Sequence, residues 1–456
     1  MRTNSRRRYA AVAGGLGLAL ALTACMPADD NDETPGGDDE VAEGCEDYTQ
    51  YGNLEGETVS IYTSIVEVEQ EDQEESYDEF ERCTGATIAY EGSREFEAQL
   101  LVRIQAGNAP DIAYIPQPGL LKTIVTDFPD MMVPASDAVA ANVDEFWAPS
   151  WKEYGTVDGT FYAAPLGANM KSFVWYSPTM FADGGYEVPQ TWDDMIALSD
   201  KIVADGDVDP WCAGIESGDA TGWPATDWVE DVVLRSAGED VYDQWVAHEI
   251  PFNDPAIVEA LGVVGSILRN PDYVNATHGD VTTIATTAWG DGGLPILDGG
   301  CYMHRAANFY INSWPEGTTV AEDGDVFAFY LPPMEAGTQP VLGGGEFVAA
   351  FSDREAVQAF QAFLSSDTWA NEKAIATEGG GWVSANNGLD VNNLTQDFDK
   401  LASSVLASED AVIRFDASDL MPAPVGAGAF WSEMTAWFAT GKSDQEVLDA
   451  IEAAWP

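Results

Sequence analysis

The sequence predicts an α/β fold of two lobes joined by a hinge, and three observations carry that prediction. The first is size: behind an amino-terminal leader and tether, ~410 residues remain, too many for one simple core. The second is a strand–helix–strand–helix–strand run between residues 58 and 115, the pattern of an open parallel sheet with helices on its faces. The third is a further α/β region reaching to about residue 325, entered through residues 161–176 (FYAAPLGANMKSFVWY), two strand-like pieces around a polar hinge. The chain is accordingly divided into a leader, 1–24; an acidic tether, 25–45; a first lobe, 46–165 with 326–380; and a second lobe, 166–325 with 381–456.

At the amino end, Arg2, Arg6, Arg7 and Arg8 precede a short apolar run from Ala10 to Leu22, then Leu22-Thr23-Ala24-Cys25. A charged head, a short apolar stretch and small residues describe an export signal. The ending resembles a lipobox, which implies cleavage before Cys25 and lipidation of its thiol, with the chain held at the membrane through that anchor alone. Residues 26–44 (MPADDNDETPGGDDEVAEG) offer almost nothing to bury and read as a disordered tether. Beyond Leu22 no apolar run is long enough for a transmembrane helix.

Thr58–Ser64 (TVSIYTS) is a β-branched and aromatic strand, and the acidic stretch Glu67–Glu81 carries Tyr77 and Phe80 at helical spacing. Thr87–Tyr90 is a second strand; Phe96, Leu100, Leu101 and Ile104 lie on one helical face; Asn108–Asp111 turns the chain into a third strand, Ile112–Ile115. Of the remaining cysteines, Cys45, Cys83, Cys212 and Cys301, three pairings are possible in an oxidising compartment. The up-and-back course of the first strand and helix brings Cys83 to Cys45, leaving Cys212 with Cys301.

Thr156–Thr160 reads as a hairpin turn, Thr191 as the N-cap of a helix with acids in its first turn, and Val326–Leu331 as a buried strand. Residues 398–456 read as mostly helical, with Trp431, Met434, Trp437 and Phe438 on one apolar face.

The chain holds 19 Lys and Arg against 78 Asp and Glu, a formal charge of −59. Such a surface repels nucleic acid and anionic lipid. With three histidines and no closely spaced cysteines, zinc binding is not expected, and no cofactor is implied.

Gly107-Asn108-Ala109-Pro110-Asp111-Ile112 and Pro189-Gln190-Thr191-Trp192-Asp193-Asp194 resemble segments of extracellular solute-binding proteins of the maltose-binding type. Gly222–Trp228 (GWPATDW), Cys301–Arg305 (CYMHR) and Arg414–Asp419 (RFDASD) resemble the α-glucoside-binding subgroup. The resemblance covers about residues 55–456 and implies a periplasmic-binding-protein-like fold with sugar held between the lobes. It further implies delivery to a permease of an ABC importer and no catalysis; the chain is expected to be a monomer.

A sugar presents hydroxyls and apolar C–H faces, so its site needs aromatic rings beside planar hydrogen-bonding groups. Trp223, on a predicted loop, with Asp227, Trp228 and Glu230, is the densest such cluster. Strand alternation sends either Trp175 or Tyr176 toward the cleft. Arg305 suits a bidentate contact, and Trp382 follows the flexible Gly379–Gly381. Glu346 follows a second glycine run, and Asp416 and Asp419 precede Leu420-Met421-Pro422. Glu67, Glu69, Ser93, Arg94 and Gln117 lie on loops at the carboxyl ends of the first strands, where open α/β sheets bind ligands. Two other readings use the same residue types: a binder of polyamines or other cations, and a secreted glycoside hydrolase, which requires two carboxylates at a set separation.

Overall fold

The computed structural model describes residues 42–206, 208–275, 279–406, 408 and 410–456. The predicted leader, Cys25 and nearly all of the acidic tether lie outside the described residues. None of the described helices is long and apolar enough to cross a membrane.

The first lobe is built on a five-stranded sheet in the order Thr87–Gly92, Thr58–Thr63, Ile112–Ile115, Phe347–Ala350, Ala163–Pro165. The first three strands are parallel, as the βαβαβ pattern requires, and Phe347–Ala350 enters antiparallel to both of its neighbours. Helices cover both faces, so both alternating sets of side chains are buried. Ile112 and Tyr114 pack into one layer while Ala113 and Ile115 pack into the other. Asp111, closing the Asn-Ala-Pro-Asp turn, accepts hydrogen bonds from the Ser60 amide and hydroxyl, both at 2.9 Å, and so ties the third strand to the first. The acidic stretch after the first strand forms two helices, Val68–Glu75 and Asp78–Thr84, rather than one. The break at Ser76 and Tyr77 lets Ser76 Oγ accept from Trp369 Nε1 and brings the Tyr77 hydroxyl to Tyr114, at 3.1 and 2.7 Å.

The second lobe is built on another five-stranded sheet, Val274–Asn275, Asp209–Cys212, Cys301–Arg305, Phe173–Tyr176, Phe327–Tyr330. Phe327–Tyr330 was expected in the first lobe. It instead pairs antiparallel with Phe173–Tyr176, because the chain has not yet crossed back at that point. The predicted turn at 156–160 is a hairpin in which Asp158 and Gly159 both have positive φ, 49° and 81°, the backbone a two-residue turn demands. Thr191 Oγ1 caps the helix Trp192–Asp205. Disulfides join Cys45 to Cys83 in the first lobe and Cys212 to Cys301 in the second.

Between the lobes, Gln339–Gly344 pairs antiparallel with Asn169–Met170 and parallel with Ala411–Phe415. That last strand lies within the region read as mostly helical. Its isoleucine and valine complete a sheet made from connecting segments, where a helix would leave the edge of Gln339–Gly344 unpaired. A bridge from Ala168 to Val383 brings a third connecting segment alongside. The helix before that segment, Asp367–Ala376, packs Trp369 into the first lobe; the helix after it, Asp397–Leu406, packs Phe398 into the second.

Candidate ligand-binding cleft

The loops at the carboxyl ends of the first lobe's strands open onto a cavity of about 260 Å³ between the lobes. Glu67, Glu69, Arg94 and Gln117 line it from that side, Ser93 does not, and the connecting segments contribute Asn169, Lys171, Glu346, Trp382, Asp416 and Asp419.

The opposite wall is aromatic. Trp223 is not on a loop: it is the first residue of the helix Trp223–Ser236, because Pro224 suits a helix's first turn and Gly222, at φ 114°, supplies the entry. A side chain at Gly222 would collide with the Trp431 carbonyl, so glycine also lets this helix sit against Trp431. Trp289 meets Trp223 edge-on with ring centroids 5.3 Å apart, and Phe309 lies 6.0 Å away. Trp431 and Trp382 line the same space.

Polar residues line this cavity between the aromatic rings. Gln117 Nε2 donates to Glu97 Oε1 at 3.0 Å, which fixes the amide so that Oε1, buried, has no partner. Gln73 also lines the cavity, but its buried Nε2 is turned to the hydroxyls of Tyr77 and Tyr114. Burial, reinforced by Glu346, pushes the Glu69 carboxyl up to about 7.

Four expected contacts lie elsewhere. Trp175 is fully buried against Tyr310, Trp314 and Phe398, and Tyr176 packs on Phe181 and Phe329. The sheet is covered on both faces, so alternation sends neither residue to the cleft. Trp228 is buried edge-on against Trp211. Asp227 and Arg305 sit behind the aromatic wall in a buried ionic network, not on the cavity surface. In it, Arg305 binds Asp227 at 2.9 Å and Asp231 at 2.6 Å, and Lys171 binds Asp227 at 3.1 Å and Asp416 at 2.5 Å. Burial opposes the charge on Asp416, but Lys171 holds its carboxyl down to about 2. Asp227, Glu230 and Asp416 stand close enough to suggest a cation site. Their oxygens are already engaged by Lys171, Arg305 and the Ala417 and Ser418 amides. His304 turns Nδ1 to the Cys212 carbonyl at 3.0 Å, and burial pulls it down to about 4, a neutral core residue.

The sequence reading missed Gln73, Glu97, Trp289, Phe309, Asn312, Lys373 and the cavity role of Trp431. Trp431 was visible only as part of an apolar helix face, and Trp289 and Phe309 lie in irregular segments with no periodicity to interpret.

The family model for bacterial extracellular solute-binding proteins matches residues 62–371. The chain belongs to that family. An osmoprotective-compounds-binding protein, GgtB, of Synechocystis is 37% identical over 409 residues, covering 89% of this chain and 94% of the relative. An α-glucosides-binding periplasmic protein, AglE, of Rhizobium meliloti is 36% identical over 426 residues, covering 90% and 89%. Among solved structures, the bacterial solute receptor AcbH superposes with a TM-score of 0.72 at 16% identity, over 87% of this chain and 97% of that one. The two-lobed fold is therefore that of a solute-binding receptor. The family is one of receptors rather than enzymes, which sets aside the glycoside hydrolase reading.

Proposed function

We propose that the protein captures an α-linked glucoside between its lobes and delivers it to an ABC importer, held at the outer face of the membrane by a lipid on Cys25. The observation that carries the ligand reading is the pairing, within one cavity, of an aromatic wall with amide and carboxylate side chains. Trp223 and Trp382 offer faces to sugar rings, and Gln117, Glu346 and Asp419 accept hydroxyl protons. The α-glucoside assignment is supported by the likeness to AglE over most of both chains. Glu67 and Arg94, joined to each other at 2.5 Å at the exposed rim, flank the entrance.

A second reading, a cationic ligand such as a polyamine, draws on the carboxylates of Glu69, Asp72, Glu97 and Asp419 around the same space. Calorimetric titration with maltose, trehalose, sucrose and spermidine separates the two. Heat from a sugar, unchanged by added salt, supports the first reading. Salt-sensitive binding of spermidine alone sinks it in favour of the second.

A further inference from the structure

Two glycines with positive φ, Gly380 at 84° and Gly381 at 98°, precede Trp382 at the cavity wall. A side chain at Gly381 would stand 2.5 Å from Ile311 Cγ2, so glycine is required there, and two glycines in a row leave the backbone ahead of the indole free to turn. Hydrogen bonds fix it instead. The Gly381 amide donates to Asp399 Oδ1 at 2.9 Å, and the Gly381 carbonyl accepts from Asn308 Nδ2 at 2.7 Å. Beyond the ring, the Val383 carbonyl accepts from the Ala168 amide at 3.0 Å. The Gly381 carbonyl belongs to the planar peptide that attaches Trp382, so the bond from Asn308 sets the direction in which the indole leaves the chain.

Asn308 is fully buried and does not line the cavity, yet it meets the cavity's frame at three places. Its Nδ2 holds Gly381, next to Trp382. Its Oδ1 accepts from the Met170 amide at 2.8 Å, and the following residue, Lys171, places its ammonium 5.4 Å from the centre of the Trp223 ring. Its own neighbour in the chain is Phe309, and Trp382, Lys171 and Phe309 all line the cavity. Both partners of the amide are backbone groups of fixed polarity, an N–H on one side and a C=O on the other, so the amide has a single orientation. An ionised aspartate of the same shape accepts from Met170 but has no proton for Gly381. With that proton gone, a buried carbonyl is left unpaired, and rotation at Gly380 and Gly381 is the readiest relaxation, which carries Trp382 with it.

We propose that Asn308 is a positioning residue for ligand capture: without touching the ligand, it holds Trp382 at the cavity through the Gly381 carbonyl and keeps that ring in register with Phe309 and Lys171. This deepens the ligand reading given above, on which it rests for Trp382 as a wall of the site.

The test is a double-mutant cycle on binding, by titration calorimetry of the full chain. The ligand is the tightest binder among maltose, trehalose, sucrose and spermidine. Asn308→Asp and Trp382→Ala are each expected to weaken it by about tenfold. The two together should be within about twofold of Asn308→Asp alone, because the ring is already displaced. An asparagine that serves only the fold gives multiplying losses, about a hundredfold in the double variant. Should the buried charge of Asn308→Asp prevent folding, judged by circular dichroism, Asn308→Ala takes its place in the cycle. Multiplying losses, or either single variant within twofold of wild type, overturn the positioning role and leave the sugar reading intact. Spermidine as the sole binder overturns the sugar reading, and the same cycle run with spermidine still judges Asn308. No binder among the four overturns both.

Discussion

The lining of the cavity and the network behind it are made of the same residue types and behave as opposites. In the network, Arg305 engages Asp227 and Asp231, and Lys171 and Asp416, which reach the cavity's edge, pair with each other while Lys171 also binds Asp227. Around the cavity, Gln117 retains a buried atom with nothing to bond, and Lys373 meets a single acceptor, Thr377. Residue type does not separate a structural carboxylate from one awaiting a ligand; an account of hydrogen-bonding capacity does. That explains why Asp227 and Arg305, chemically suitable for a sugar, serve as the backing that holds Trp223's helix in place.

The largest expected effect is in the network. Arg305→Met leaves Asp231 with Arg235 alone and Asp227 with Lys171 alone, one cation fewer in a buried network, and should lower unfolding free energy by about 3–5 kcal/mol in urea titrations. The comparison fails if Arg305→Met unfolds at the wild-type midpoint. The next test sharpens it with one residue type. Trp175→Ala should cost about 3–5 kcal/mol of stability. Trp223→Ala should weaken ligand binding by about 1.5–3 kcal/mol, with a smaller change in melting temperature. Equal effects of the two on stability and on affinity would erase the distinction between core and wall.

The smallest effect depends on pH. Asp399 is buried at the third connecting segment, where its carboxylate accepts from the Gly381 amide at 2.9 Å, and burial raises it to about 7. Its native pKa exceeds its unfolded value, so the folded state holds the extra proton and stability falls as pH rises from about 4 to about 7. Asp399→Asn keeps an acceptor for Gly381 and removes that dependence. It should stabilise the protein by about 1–2 kcal/mol above pH 7 and by nothing near pH 4, read from urea midpoints. A gain independent of pH would mean the carboxyl is ordinary.

How much could be read from residues alone varies along the chain for physical reasons. The βαβαβ start is legible because each element has its own period, down to the turn at Asp111. The second lobe is less so: the strand Asp209–Cys212 contains a proline and has no alternation, and the strand Ala411–Phe415 exists only because a distant segment leaves an edge for it. Within the site, local sequence marks Trp223 and Trp382 as tryptophans beside glycine. Whether Trp175 and Trp228 meet solvent or protein depends on which helices cover their faces, and no short window contains that information. Lys373 carries no local mark at all, since what distinguishes it is a scarcity of partners in three dimensions.

The disulfide between Cys45 and Cys83 has a mechanical consequence. It lies beside Leu54 and Glu57, at the amino ends of the first two strands, whereas the cavity opens at their carboxyl ends. A tensile load on the chain entering at Ala42 passes through sulfur into the helix Asp78–Thr84 within a few residues. The load enters the first lobe through that helix and not through the strand Thr58–Thr63, whose carboxyl end carries the loop that lines the cavity.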